Sequence, residues 1–311
     1  MKRFSQTTFL SIAGLILVWA VLVGSTRAAT QPIVVYVSVP PQVSLVREIG
    51  GPNVEVHSLV SAGQDPHLFS PTPREIRALG RAQVFFTVGM PFEKPVLKKI
   101  SGHLPNMRIV DSVEGFKRRT GCLCGHDHHK KPPTVNHKAD HQPVVDGDPH
   151  VWLSPLGLRT MAKNVAKTLI SIDPTKGKEI HGRSAKLIKT IDAVDARVKA
   201  KLAPYRGRAV YVYHPSLGYF CDAYGLRQKA IEVEGRLPNT KQLRQLIAEA
   251  KKDRVQTIYV QPKSDRRGAE VVARAVGAKL VRIDTLADDA VVNLERIAKT
   301  IASGMAPQKA K

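Results

Sequence analysis

Residues 33–60 read IVVYVSVPPQVSLVREIGGPNVEVHSLV, and this stretch decides the fold class. Ile33–Val37 and Val54–Val60 are short runs rich in valine, which are typical of β-strands. The residues between them, Gln42–Ile49, are predicted to form a helix. A strand, a helix and a second strand in this order favour a parallel α/β unit with helices covering the sheet.

The same alternation of strands and helices continues on both sides of a helical interruption. Further strands are predicted at Val84–Val88, Arg108–Val110, Arg208–Val212, Lys229–Val233, Thr257–Val260 and Leu280–Ile283. Further helices are predicted at Pro73–Leu79, Pro155–Ser171, Pro215–Tyr224, Thr240–Ala250 and Ala269–Val276. We therefore predict an α/β fold of two lobes, each with a mostly parallel sheet flanked by helices.

The interruption is a long helical segment between the two lobes. Asp173 and Pro174 provide an N-cap followed by proline at the first helical position, and an apolar stripe then continues to about Ala203. At 1.5 Å per residue this helix would be roughly 45 Å long, enough to span both lobes as a rigid connector. The predicted division is a signal peptide at 1–29, an N-terminal lobe at 30–172, the connector at 173–203 and a C-terminal lobe at 204–311.

The first 29 residues have the layout of a secretory signal peptide. Lys2 and Arg3 form a basic start, Phe9–Val23 is almost entirely apolar, and the small residues around Ala28 suit cleavage. The apolar run is short for a membrane-spanning helix, and an uncleaved N-terminal anchor is the alternative. No cysteine lies near the cleavage site, which disfavours a lipid-anchored protein. We expect a mature chain that is exported to the periplasm.

The composition is strongly basic, with 48 Lys and Arg against 26 Asp and Glu and a formal net charge of +22. Such a charge raises nucleic acid as a partner. The basic residues are spread along the helices, however, and the sequence contains no nucleic-acid-binding motif, so we expect no nucleic-acid partner. Solvated basic surface, or contact with an anionic membrane or cell wall, is the preferred interpretation. Three cysteines are too few for a disulfide scaffold. Separately, we expect the protein to be a monomer.

Three histidines lie beside prolines, in the segments Asp65-Pro66-His67, Asp148-Pro149-His150 and His214-Pro215. Proline fixes its own φ and pushes the residue before it into an extended conformation, so each histidine should lie in a defined turn. A carboxylate, Asp284, follows the last predicted strand. Because open α/β sheets bind ligands beyond the carboxyl ends of their strands, we predict that His67, His150, His214 and Asp284 form a metal site between the lobes.

The predicted ligands favour zinc. Three neutral imidazoles and one carboxylate suit Zn²⁺, which accepts four nitrogen and oxygen ligands, whereas Mn²⁺ prefers more oxygen donors. Asp288 and Asp289 are close to Asp284 in the sequence and could serve instead of it. Four protein ligands would close the coordination sphere, as a carrier requires, whereas catalytic zinc keeps a position open for water.

A His-rich segment, residues 122–142, breaks the alternation in the N-terminal lobe. It has almost no apolar residues, and its histidines are His126, His128, His129, His137 and His141. The composition predicts a mobile loop that binds metal weakly and exchangeably, with a solvated loop without that role as the alternative.

Several short segments follow one another in a specific order, namely Gln64–His67, Pro71–Pro73, Ala82–Gly89, Asp148–Pro155, Tyr213–Phe220 and Tyr224–Leu226. With this order and spacing, the chain resembles the zinc- and manganese-binding solute receptors of bacterial ABC importers from about residue 32 to 290. The resemblance implies two lobes joined by one long helix and a metal site at His67, His150, His214 and Asp284. A His-rich loop is typical of the zinc-selective members.

Two positions depart from the pattern of that family. Thr285 follows Asp284 where the family often has proline, and Gln261 precedes Pro262 where the family often has glutamate. The second difference removes a carboxylate close to the cleft. The His-rich loop is also more basic than the family pattern, with Lys130, Lys131 and Lys138, which would weaken its capture of cations.

The leading hypothesis is a periplasmic receptor, not an enzyme, that binds Zn²⁺ with high affinity. It would deliver the ion to an ABC permease and its ATPase in the inner membrane. A manganese or iron receptor of the same family is the alternative. A zinc-dependent hydrolase is disfavoured because the sequence has no His-Glu-x-x-His or comparable motif to supply a general base beside the metal.

Overall fold

The computed structural model of the protein describes residues 31–100, 104, 106–119, 147–232, 236–262 and 267–305. The predicted signal peptide at 1–29 and the predicted His-rich loop at 122–142 lie outside these residues. Among the helices of the described part, none is long and apolar enough to cross a membrane.

The first sheet is built from four parallel strands, as the alternating pattern predicts. The strands are β1 (Ile33–Val37), β2 (Val54–Ser58), β3 (Val84–Thr87) and β4 (Arg108–Asp111), in the spatial order β2-β1-β3-β4. The connecting helices are α1 (Pro41–Gly50), α2 (Pro73–Leu79) and α3 (Glu93–Ile100). Helix α3, which buries Glu93, Val96 and Ile100, was not among the predicted helices.

The second sheet repeats this arrangement in the C-terminal half. Its strands are β5 (Ala209–Val212), β6 (Arg227–Ala230), β7 (Thr257–Val260) and β8 (Lys279–Arg282), all parallel and in the order β6-β5-β7-β8. The helices of this half are α6 (Gly218–Tyr224), α7 (Thr240–Lys252), α8 (Arg267–Val276) and α9 (Ala290–Ser303). The predicted fold class, α/β with two parallel sheets flanked by helices, is confirmed.

Two boundaries near the predicted site differ from the sequence prediction. Helix α6 begins at Gly218 rather than Pro215, because the Ser216 backbone N–H donates to the His214 carbonyl and closes a turn first. Strand β6 begins at Arg227, two residues earlier than predicted, because α6 ends at Tyr224, and Gly225 after it adopts the left-handed conformation and turns the chain directly into the sheet.

Between the two sheets lie α4 (Pro155–Ile172) and the long helix α5 (Gly177–Leu202). Asp173 caps a 3₁₀ turn at Pro174–Lys176, so α5 begins later than its predicted start at residue 173. Its 26 residues correspond to about 39 Å. Helix α5 packs against α1 and α4 of the first half and against α6 and α9 of the second, so it contacts elements of both halves. The division at 30–172, 173–203 and 204–311 remains our proposed division of the chain.

The strand order positions the predicted ligands. In each sheet the order reverses at the second strand, between β1 and β3 and between β5 and β7, and parallel strands place all their carboxyl ends at one edge. Ligands of open α/β sheets bind in the crevice at such a reversal. The segments that carry His67 and His214 follow β2 and β5, so both emerge from carboxyl ends.

Candidate metal centre

Three of the four predicted ligands lie together in the structure. The Nε2 atom of His150 is 3.2 Å from that of His67 and 3.4 Å from that of His214. One ligand atom from each of the three side chains lies within 4.8 Å of the others. Within the described residues, this is the one group of three or more His, Cys, Asp or Glu side chains spaced to hold a metal ion.

His67 is placed by a tight turn after β2. The Asp65 carboxylate accepts the backbone N–H of His67 at 2.9 Å, so the side chain of the aspartate fixes the backbone of the histidine two residues on. Pro66 between them is buried, whereas Asp65 is exposed. The ring of His67 is partly buried and lies against the rings of His150 and His214, at centroid distances of 5.2 and 4.6 Å.

His150 is placed by the same kind of turn, but its aspartate, Asp148, contacts the imidazole ring as well as the backbone. Asp148 accepts the backbone N–H of His150 at 2.9 Å, and the same oxygen lies 2.8 Å from the ring Nδ1. Asp148 is only 1% exposed and His150 only 4%. The hydrogen bond at Nδ1 fixes the tautomer that leaves a lone pair on Nε2, the atom that faces His67 and His214.

The carboxylate of Asp148 stays ionised in this buried position. Burial alone would raise the pKa of Asp148, but the side-chain and backbone hydrogen bonds from His150, together with the charge of Arg119, hold the pKa below its usual value. Arg119 Nε lies 3.8 Å from the second carboxylate oxygen. A negative charge behind the imidazole makes Nε2 a stronger ligand.

A network of hydrogen bonds ties Asp148 to helix α6 of the second half. The Tyr219 hydroxyl donates to the Asp148 carbonyl at 2.8 Å and accepts the backbone N–H of Arg119 at 2.9 Å. The Arg119 guanidinium donates to the Gly218 carbonyl at 2.8 Å and forms an ion pair with Asp222. The turn that carries His150 is therefore bonded to both halves of the molecule.

His214 comes from the second half, immediately after β5. The Tyr213 backbone N–H donates to the Tyr259 carbonyl at 2.8 Å, which continues the pairing of β5 with β7 up to the histidine. The ring Nδ1 of His214 lies 3.3 Å from a carboxylate oxygen of Glu232. As with His150, the contact at Nδ1 leaves Nε2 directed to the other histidines.

The electrostatic environment of His67 favours the neutral form of its imidazole. Burial, reinforced by the neighbouring His150 and His214, lowers the pKa of His67 to about 2. His67 is therefore uncharged at neutral pH, and a neutral imidazole is the form that binds a metal.

Asp284, the fourth predicted ligand, is not a member of the histidine group. Its carboxylate is exposed and accepts the Leu286 backbone N–H at 2.8 Å. The loop itself is held near the site, because the buried Trp152 indole N–H donates to the Thr285 carbonyl at 2.7 Å and the Trp152 ring packs against His150. The alternative Asp289 caps α9 by accepting the Val292 N–H. Asp284 therefore remains a predicted ligand.

Sequence reasoning did not assign the two carboxylates that contact the histidine rings, Asp148 and Glu232. The repeated tripeptide could have singled out Asp148, since the first residue of each copy accepts a hydrogen bond from its own histidine. Glu232 has no such signal, because it lies 18 residues after His214 and reaches it through the pairing of neighbouring strands. Gln261 donates to the Ser216 hydroxyl at 3.3 Å, beside the turn that carries His214.

Comparisons with known proteins agree on one family. The family described as zinc-uptake complex component A, periplasmic, matches residues 35–304. The crystal structure of a ZnuA deletion mutant with zinc bound is 30% identical and has a TM-score of 0.79, over 90% of this chain and all of that one.

Two curated relatives differ in their metal. The zinc-binding protein AdcA of Streptococcus pyogenes is 24% identical over 89% of this chain, which spans 55% of that relative. The manganese ABC transporter substrate-binding lipoprotein PsaA of Streptococcus pneumoniae is 24% identical over 88% of this chain and 86% of its own length.

Proposed function

This chain belongs to the periplasmic zinc-uptake complex component A family, and on that premise we propose that it is an exported receptor that binds Zn²⁺ with high affinity and delivers it to an ABC importer. The resemblance noted in the sequence is thereby confirmed. The expectation of a receptor rather than an enzyme is confirmed as well, since the family consists of substrate-binding proteins of ABC metal importers.

The observation that carries the proposal is the spacing of the three Nε2 atoms. Ligand nitrogens 2.0–2.1 Å from a tetrahedral zinc ion lie about 3.3–3.4 Å from one another. The separations of 3.2 and 3.4 Å to His150 fit this arrangement with little movement of the side chains. These two separations support His67, His150 and His214 as proposed zinc ligands, with Asp284 as the proposed fourth.

The choice of zinc over manganese rests on the donor atoms. Three imidazole nitrogens suit Zn²⁺, while Mn²⁺ prefers oxygen ligands and lies lower in the affinity order. The structural neighbour with zinc bound supports the same choice. Because the manganese-transporter relative PsaA is as similar to this chain in sequence as the zinc-binding relative AdcA, at 24% identity each, competition between the two ions is the discriminating test.

The proposal includes a location and partners. Substrate-binding proteins of ABC metal importers work with a membrane permease and an ATPase. We place this chain, as a monomer, in the periplasm after cleavage near residue 29, where it would meet a permease in the inner membrane. The proposed role of the His-rich loop at 122–142 is weak capture of metal for the cleft.

Zinc titration of the mature chain, residues 30–311, tests the proposal. In competition with a chelator, we expect one tight Zn²⁺ site per chain that is lost in His67→Ala and in His214→Ala and kept in the control His181→Ala, an exposed histidine of α5. Mn²⁺ should be displaced by equimolar Zn²⁺. A tight site that survives both ligand substitutions, or bound Mn²⁺ that Zn²⁺ does not displace, would contradict the assignment.

A further inference from the structure

We propose that Glu232 is a positioning residue of the metal site, which holds the ring of His214 so that its Nε2 faces the ion. The proposal rests on the proposed function of the three histidines. In the structure the Glu232 carboxylate lies 3.3 Å from Nδ1 of His214 and is 12% exposed. A carboxylate can only accept a hydrogen bond, so this contact requires the His214 proton on Nδ1.

The backbone places Glu232 at this position independently of the side-chain contact. Strand β6 pairs in register with β5, from Ala209 with Arg227 to Val212 with Ala230. The pairing continues past the strands, since the Ile231 N–H donates to the Val212 carbonyl at 2.9 Å and the Glu232 N–H to the Tyr213 carbonyl at 3.0 Å. Glu232 therefore lies beside the residue that precedes His214, and the sheet fixes its location.

The geometry favours a positioning role over direct coordination. Glu232 approaches Nδ1, on the opposite side of the imidazole from Nε2, and Nε2 is the atom 3.4 Å from His150. A carboxylate bound to the same ion would have to lie on the Nε2 side. A hydrogen bond at one ring nitrogen sets which nitrogen carries the lone pair, and here it leaves that lone pair on Nε2.

The first half of the molecule contains the same arrangement. Asp148 binds Nδ1 of His150 at 2.8 Å and Glu232 binds Nδ1 of His214 at 3.3 Å, so each half contributes one histidine backed by a carboxylate. Such carboxylates fix the ring and raise the basicity of the coordinating nitrogen. They also place two negative charges next to a dication without using a coordination position. Within the described residues, the ring of His67 has no carboxylate partner.

Two substitutions at Glu232 separate the charge from the hydrogen bond. In chelator competition with Zn²⁺, we expect Glu232→Ala to raise the dissociation constant about 10–100-fold, the usual effect of losing such a partner. Glu232→Gln should rescue part of the loss, because its amide oxygen still accepts the Nδ1–H. The matched control is Glu270→Gln, an exposed glutamate of α8 in the same half, which should bind zinc as the unaltered chain does.

Nitrogen-15 NMR of the histidine rings in the zinc-loaded protein measures how fast the Nδ1–H of His214 exchanges with solvent. This exchange rate would not change if Glu232 only stabilised the fold. The Nδ1–H signal of His214 should be protected from exchange in the unaltered chain, intermediate in Glu232→Gln and rapidly exchanging in Glu232→Ala.

Wild-type affinity in both Glu232 variants would overturn the positioning role while leaving the proposed function intact. A loss as large as that of His214→Ala would make Glu232 a ligand and would also overturn it. Failure of the unaltered chain to bind Zn²⁺ would instead overturn the proposed function itself.

Discussion

The two Asp-Pro-His turns have the same local structure but different surroundings. In both, the aspartate accepts the backbone N–H of its histidine at 2.9 Å. Asp65 is exposed, while Asp148 is buried, binds the ring of His150 and is bonded through Tyr219 to the other half of the protein. One turn only places a histidine, and the other also fixes the orientation of the ring.

The difference shows how a binding cleft can combine a fixed and an adaptable ligand. The Nε2 atom of His150 contacts both other histidines, and its ring is held by Asp148 from behind and by Trp152 at the side. In the part of the chain that the structure describes, the aromatic contacts of the His67 ring are with the rings of His150 and His214. His150 is therefore the fixed ligand of the site. His67 from the first half and His214 from the second half complete it.

The largest effect is expected from removing the fixed histidine. His150→Ala should weaken zinc binding by more than about 100-fold, beyond the range for loss of a supporting partner, because both remaining nitrogens are arranged around it. Isothermal titration calorimetry with a competing chelator measures the loss, with His181→Ala as the control. If His150→Ala weakens binding less than His67→Ala does, the ranking of fixed and adaptable ligands is wrong.

The next effect separates the two turns directly. Asp148→Ala and Asp65→Ala both remove the hydrogen bond to a histidine backbone, but only Asp148→Ala also frees the ring. We expect about 10–100-fold weaker zinc binding for Asp148→Ala and a loss below about tenfold for Asp65→Ala. Equal losses in a side-by-side titration would show that the turn, rather than the ring contact, determines affinity.

A third prediction concerns pH and the metal-free protein. The unfolded chain protonates His67 near its ordinary pKa of about 6.5, whereas folding lowers the pKa of His67 to about 2. Acidification from pH 6.5 downwards therefore favours the unfolded chain, by up to about 1.4 kcal/mol per pH unit from this group. Urea unfolding at pH 7, 6 and 5 should show this decline.

His67→Gln should flatten the decline between pH 6.5 and 5, and the exposed control His181→Gln should not. In this window the stabilisation of Asp148 is constant, because its lowered pKa makes its contribution disappear only at more acidic pH. An undiminished slope in His67→Gln would mean that other groups cause the pH dependence.

The smallest effect is expected from Tyr219→Phe. This substitution removes the hydroxyl that bridges Arg119 and Asp148 but keeps the ring that packs on Phe116. The loss should be about 1–3 kcal/mol of unfolding free energy, with zinc affinity almost unchanged, because the contact between Asp148 and His150 remains. A large loss of affinity with unchanged stability would indicate that the network acts on the metal site rather than on the fold.

The parts of the fold that the sequence predicted are those with local causes. Runs of β-branched and aromatic residues specify the central strands β1, β3, β5 and β7, and proline beside histidine specifies the turns of His67, His150 and His214, so these strands and turns were predictable. Helices α3 and α9 were not predicted, although α9 buries seven of its residues.

The supporting residues could not be read in the same way. Glu232 meets His214 through strand register, and Arg119 meets Asp148 across segments far apart in the chain. For Asp284, the position after a strand predicted a ligand of the site, whereas in the structure its carboxylate accepts the Leu286 N–H and the Trp152 indole holds the loop through Thr285. Such contacts depend on how elements pack together, which residue patterns along the chain do not encode.

X-ray absorption spectroscopy at the zinc edge of the stoichiometric zinc protein identifies the atoms that bind the ion. We expect three imidazole nitrogens and one oxygen at about 2.0–2.1 Å, with one imidazole fewer in His150→Ala. One imidazole or none in the unaltered chain, or sulfur in the coordination sphere, would contradict the assignment of His67, His150 and His214 as the site.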